Sequence, residues 1–268
     1  MAGENFGVVR TDKWLEKNFD DPVKICQAFM ESFGEEKPAN IYNYLLGFGM
    51  YRPNRRTYED YKKLIELKCW ENVERIFRKY RREWNGPNVR VYIFPAAGSK
   101  SIFYRGRREK SGVAFTDKLF LFIPPIEDEK EIEALIVHEY HHTCRLIKQK
   151  KHVKDFTLLD SIVLEGLAEH AVAAYCGESY RAKWCDYYTR KEIIMYWKKF
   201  LQKNLDVKKH EKLHDEILFG HNGYPNMIGY AVGCEMINLY NEKYKLAAKD
   251  TFTLDSTLFL TVMKQVNN

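Results

Sequence analysis

The stretch Ala134-Leu135-Ile136-Val137-His138-Glu139-Tyr140-His141-His142 decides how this chain is built. Apolar residues run directly into the pattern His-Glu-x-x-His, and Ile132, Ile136, Tyr140, Thr143, Cys144 and Ile147 recur at three- and four-residue spacing, which predicts an α-helix with one core side. On that helix His138 and His142 stand one turn apart on one face, separate from the core side, where two imidazoles reach a single metal ion. Glu139 is offset from His138 by about 100°, which puts its carboxylate beside the metal as a general base for a bound water. His141 projects to the other side and is expected to play a polar or solvated role outside the ligand set. Glu127, Asp128, Glu129, Glu131 and Glu133 crowd the expected start of the helix near residue 128, as its dipole favours.

Upstream, the pattern changes to short extended runs. Val89–Phe94 alternates, turns apolar and stops at Pro95; Gly112–Thr116 reads as a second strand, and Asp117-Lys118 turns into a third, Leu119–Ile123, closed by Pro124-Pro125. Before Gly86-Pro87 the pattern is helical, near residues 11–33, 41–49 and 58–84. Downstream, a basic linker leads to a helix over Leu158–Cys176, and the rest reads mainly helical apart from the breaker-rich loop at residues 220–226. The expected fold class is therefore α+β: mainly helical, with a small mixed or antiparallel sheet directly before the motif helix. Residues 1–84 form an N-terminal helical region and 85–268 the region carrying the motif, with no linker between them that would exclude one continuous domain.

Two histidines leave a catalytic zinc short of its usual third protein ligand. In Ser161-Ile162-Val163-Leu164-Glu165-Gly166-Leu167-Ala168-Glu169-His170, two carboxylates four residues apart share a face of a helix that is otherwise apolar or small. A buried carboxylate needs a cation, a metal or strong donors to offset its lost hydration. Zinc does so for Glu165, and an ion pair with Arg145 or Arg181 is the competing reading. Glu169, one turn on, suits the second ring N–H of a metal histidine. Gly166 and Ala168 would let this helix approach the motif helix closely.

His138-Glu139-x-x-His142, followed after 22 residues by Glu165-Gly166-Leu167-Ala168-Glu169, resembles the gluzincin metallopeptidases. In that group a glutamate on a second helix completes a zinc site and an acidic residue four positions later orients a histidine. Residues 85–265 look, more narrowly, like the bacterial predicted zinc-dependent proteases grouped as an uncharacterised domain family. The supporting stretches are residues 112–123, 138–146, 164–169 and Gly229-Tyr230-Ala231-Val232-Gly233. The resemblance implies a zincin-like fold, a Zn2+ cofactor held by His138, His142 and Glu165, and a peptide or protein substrate. It also implies a cleft lined by the strand before the motif helix, so that Leu119–Ile123 would take an extended peptide on the sheet edge. The chemistry is amide hydrolysis with Glu139 as the base. A Tyr or His is expected opposite the metal to stabilise the oxyanion, and Tyr230, Tyr224 and His221 are the candidates in that order. The competing function is a non-hydrolytic regulator that keeps the fold and binds a peptide or protein.

Composition bounds the rest. At 268 residues with 45% hydrophobic and 15% aromatic content, the chain can bury a sizeable core. Its net charge of +6 is spread over separate clusters at residues 78–82, 105–108 and 148–151, which reads as solvated surface and not as a nucleic-acid stripe. The charge-studded first 20 residues lack the apolar run of a signal peptide, so a cytoplasmic location without a membrane anchor is expected. Cys26, Cys69, Cys144, Cys176, Cys185 and Cys234 are scattered without a Cys-x-x-Cys pair, and reduced thiols are expected. The sequence does not specify an oligomeric state.

Overall fold

The computed structural model of the protein describes residues 6–97 and 110–265; the basic cluster at 105–108 lies outside them. Two compact units emerge, Met1–Tyr140 and His141–Asn268.

The first unit contains β1 (Gly7–Val8), α1 (Thr11–Asn18), α2 (Pro22–Cys26), α3 (Pro38–Gly47), α4 (Arg55–Glu66), α5 (Cys69–Glu83), β2 (Arg90–Pro95), β3 (Ser111–Ala114), β4 (Lys118–Ile123) and the first turns of α6 (Glu129–Gln149). Among the described residues the sheet is mixed, in the order β1-β2-β4-β3, with β1 and β4 parallel to β2 and β3 antiparallel to β4. Because β4 is hydrogen-bonded on both sides, Leu119–Ile123 is the buried centre of the sheet. The expectation that it offers an edge to a peptide is corrected: among the described residues the outer strands are β1 and β3, and β3 is the one beside β4. A fully buried central strand reads as the continuous apolar run seen here, and a lone sequence does not say which neighbours fill its two sides.

The two faces of the sheet are set by strand alternation. Phe120 and its parallel partner Tyr92 share one face, where Phe29 packs on both with ring centroids 5.0 and 4.9 Å away. On the other face Gly112 meets Glu139 of α6. There Tyr140 stacks on Trp84 at 5.7 Å and meets Phe77 edge-on at 5.1 Å, while its hydroxyl donates to Pro87 O at 2.8 Å.

The second unit holds the rest of α6, then α7 (Leu158–Cys176), α8 (Arg190–Tyr196), α9 (Lys212–Phe219), α10 (Ile228–Tyr244) and α11 (Leu260–Gln265). Its core gathers Leu158, Ile162, Leu167, Trp197, Ile217, Val232, Met236 and Phe259. Helix α7 spans the residues expected of it, opened by a capping box in which Thr157 and Asp160 exchange side-chain and backbone bonds. Gly166 does permit a close approach, but to α10: a Cβ on Gly166 would stand 2.3 Å from Gly233 O, and one on Gly233 would stand 2.3 Å from Ile162 O. The sequence assigned that approach to the motif helix.

Two further expectations are corrected. Cys185 and Cys234 form a disulfide with Cα atoms 5.5 Å apart, so the six cysteines are not all reduced. They stand 49 positions apart with no sequence signal between them, and the fold alone brings them together. Cys26, Cys69 and Cys144 are buried thiols outside any disulfide, as small core residues should be. Helix α6 also lacks an open polar side: from Ala134 to Leu146 every residue except the half-buried His138 is buried. No helix among the described residues is long and apolar enough to cross a membrane.

Two stability predictions follow from these contacts. Gly166→Ala should cost about 3 kcal/mol in urea unfolding, because the added methyl meets a backbone carbonyl that has no rotamer to move to. Gly47→Ala, at a helical position with no atom within 4 Å of the new methyl, should be neutral or stabilising by up to about 1 kcal/mol; equal effects at the two sites would refute the close helix crossing. Glu133 contributes to the acid sensitivity of the first unit. Burial pulls its carboxyl up, but Lys130, Lys79 and the Tyr80 hydroxyl, each 2.7 Å away, outweigh that and hold it at about 2. An unfolded Glu titrates near about 4.3. The unfolded chain therefore binds the extra proton between these values, and stability present above about pH 4.3 is lost as pH falls toward 2. Glu133→Gln should flatten the pH dependence of unfolding in that window, measured by circular dichroism; an unchanged slope would show that the network contributes nothing.

Candidate metal centre

Helix α6 places His138 and His142 one turn apart on an uninterrupted backbone, and α7 supplies Glu165. One ligand atom from each of the three lies within 4.8 Å of the other two. His142 Nε2 and Glu165 Oε2 are 3.4 Å apart. That distance is long for a charge-assisted hydrogen bond but matches the edge of a tetrahedron with bonds of about 2.0–2.2 Å, which is about 3.3–3.6 Å. Two imidazoles and one carboxylate are also the donor set of a catalytic zinc that keeps a fourth position for water. The residues present therefore fit zinc.

Glu139 is buried on the same helix, against β3. A Cβ on Gly112 would lie 2.7 Å from its carboxyl carbon and 2.8 Å from Oε1, so only glycine at this strand position leaves room for the carboxylate. The sequence reading used Gly112 only as part of a strand and missed this function. The available signal was a glycine inside a four-residue strand, which marks a bulge or a close approach.

The arginines weighed as ion-pair partners of Glu165 are engaged elsewhere. Arg145 is buried and donates to Thr251 O at 2.6 Å, Leu254 O at 2.8 Å and Ser256 Oγ at 3.4 Å. Burial lowers its guanidinium to about 10, against the pull of Asp160 and Asp255. Arg181 pairs with Glu178 at 2.7 Å and Asp186 at 3.5 Å. His141 is fully buried, with Nε2 2.9 Å from Thr251 Oγ1 and its ring 5.0 Å from Phe252. Of the polar or solvated role expected for His141, the structure shows a polar, buried one: the side of α6 turned away from the ligands is packed by residues 251–256, about a hundred positions later in the chain.

Glu169 is buried one turn after Glu165, and its Oε2 accepts from Ala182 N at 2.7 Å, which ties the segment after α7 to the helix. The three candidate oxyanion donors are held in aromatic packing. Tyr230 lies against Trp184 at 5.3 Å and Phe219 at 5.7 Å, His221 stacks on Phe219 at 6.1 Å, and Tyr224 meets Phe200 edge-on at 5.3 Å. The structure thus gathers His138, His142 and Glu165 into one cluster, while Tyr230 and His221 meet on the ring of Phe219.

Residues 69–261 match the family described as "Predicted Zn-dependent protease (DUF2268)". The chain belongs to this family. It is also 31% identical, over 258 residues, to the uncharacterized protein YjaZ of Bacillus subtilis (strain 168), a match that covers 96% of this chain and 99% of the relative. No solved structure matches it. The family's match begins at the start of α5 and takes in β2, β3, β4 and both helices that supply the cluster, while β1 lies before it.

The metal reading makes a direct prediction. Protein purified without added metal or chelator should carry one zinc per chain by mass spectrometry of the metal, and His142→Ala or Glu165→Gln should lose it. Full zinc occupancy in the Glu165→Gln protein would remove Glu165 from the ligand set.

Proposed function

We propose that this protein is a zinc-dependent peptidase that hydrolyses peptide bonds with Glu139 as general base. The observation that carries this reading is the pairing of the His138, His142 and Glu165 cluster with a buried carboxylate on the same helix. A site built only to hold a metal has no need of that carboxylate. Bound zinc would supply Lewis acidity and a water whose pKa is brought toward neutrality.

The protein's own residues do the rest. His138, His142 and Glu165 hold the ion. Glu139 takes a proton from the attacking water and later gives it to the leaving amine, the two halves of general acid–base catalysis. Its contact with Gly112 limits the orientations the carboxylate can adopt, so the base is aimed before substrate arrives. Glu169 steadies the ligand helix from the next turn. Tyr230, then Tyr224, then His221 is the order of preference for the oxyanion donor.

Strand β3 supplies the substrate with a backbone. Phe115 N donates to Lys118 O, and Ser111, Val113 and Phe115 share one ladder phase, so their N–H and C=O groups turn toward β4. Gly112 and Ala114 then direct their N–H and C=O groups to the outer side. An extended peptide added there forms a further strand beside Glu139.

Glu139→Gln should retain zinc while hydrolysis of peptides falls by at least about 10²–10⁴-fold. Peptide mixtures followed by mass spectrometry, with metal content measured on the same samples, provide the test. Hydrolysis that survives the substitution sinks the assigned role of Glu139, and binding without any hydrolysis by the unaltered protein points to the non-hydrolytic regulator.

A further inference from the structure

Next to β3 the surface carries an apolar pair that the fold leaves open. Tyr44 and Phe48 are 43% and 39% exposed, stand 4.9 Å apart at i and i+4 along the end of α3, and are two of the seven most exposed large apolar side chains among the described residues. Beneath them Tyr44 contacts Phe33 at 6.0 Å and Phe115 at 6.3 Å. The pair is fixed to the strand: Ser111 Oγ donates to Phe48 O at 2.7 Å, and Gly49 O accepts from Ala97 N at 2.7 Å just beyond β2.

Alternation along β3 places this pair relative to the chemistry. Gly112 faces Glu139, so Ser111, Val113 and Phe115 face the opposite side of the sheet, the side that carries Tyr44 and Phe48. A peptide strand paired to Gly112 and Ala114 has the same alternation. Its residues opposite Gly112 and Ala114 turn toward Glu139, and those between and beyond them turn toward the aromatic pair.

We propose that Tyr44 and Phe48 form a specificity subsite that takes an aromatic or large aliphatic side chain of the substrate, at positions alternating with those that face Glu139. This rests on the peptidase reading and goes beyond it by naming the substrate class: extended segments with large apolar residues at every second position. An apolar face next to an open strand edge suits such a segment, because backbone bonds give the affinity and alternate side chains give the choice. The subsite comes from helix α3, upstream of the residues that define the family match.

The test uses the full-length, zinc-loaded protein and decapeptides that differ only in carrying Phe or Ser at every second position. In the unaltered protein kcat/KM for the Phe peptide should exceed that for the Ser peptide by about 10–100-fold, the range that filling an apolar pocket supplies. Tyr44→Ser with Phe48→Ser should reduce that ratio to below about threefold, with the melting temperature unchanged because both side chains are surface-exposed. In parallel, fluorescence anisotropy of the labelled Phe peptide on Glu139→Gln protein should show at least tenfold weaker binding when the two substitutions are added.

A selectivity ratio unchanged by the substitutions, with Glu139-dependent hydrolysis intact, overturns the subsite and leaves the peptidase reading standing. Binding that depends on Tyr44 and Phe48 without hydrolysis of either peptide supports the subsite and overturns the peptidase reading. Absence of both binding and hydrolysis overturns both. A dimer in solution that the double substitution dissociates assigns the pair to an interface between copies of the chain and overturns the subsite.

Discussion

Burying a helix that carries this many polar side chains obliges the rest of the structure to answer each one, and that obligation organises the protein around α6. An unanswered buried donor or charge costs several times what its hydrogen bond contributes. Glu133 is therefore met by Lys130, Lys79 and Tyr80, and the Tyr140 hydroxyl by Pro87 O. His141 is met by Thr251 and Arg145 by the carbonyls of Thr251 and Leu254. Each answer recruits a distant stretch of chain, so the polar residues of one helix specify tertiary contacts that apolar packing alone would leave undetermined.

The ligand residues fit the same logic. His138, His142 and Glu165 bring one ligand atom each within 4.8 Å of the others, with His142 buried and the other two half-buried, and that donor set could hold a metal ion. Glu139 depends on a close approach as well: its carboxylate lies where a side chain on Gly112 would stand. Glycine plays the same part where α7 crosses α10, with backbone approaching backbone at Gly166 and Gly233. The first approach seats the Glu139 carboxylate against the strand, and the second fixes the helix that carries Glu165.

Much of the local structure was legible in the chain. The period of the apolar residues and the acidic start announced α6, the apolar and small-residue run after the basic linker announced α7, and the apolar run Leu119–Ile123 announced a strand. The ligand cluster was legible because helical geometry converts a four-residue spacing into proximity. The edge of the sheet was not. Nothing in residues 119–123 tells whether hydrogen-bonded neighbours lie on one side or both, so the outer strand was misassigned. Whether the polar role of His141 is a solvated or a buried one was not legible for a related reason: a helical wheel shows which side is polar, but not that residues 251–256 will cover that side.

The sequence by itself determined the elements whose information is local: helix and strand periods, helix starts, and the His138-Glu139-x-x-His142 spacing with a buried glutamate downstream. Tertiary structure alone decided what depends on pairing over long separations. It placed β3 outermost, joined Cys185 to Cys234, seated Gly112 against Glu139, and set Tyr44 and Phe48 beside the strand edge. Periodicity encodes which face of an element is apolar, because that is fixed within a few residues. Which element meets that face is fixed by packing and by satisfying buried polar groups across the whole chain, and no local pattern carries it.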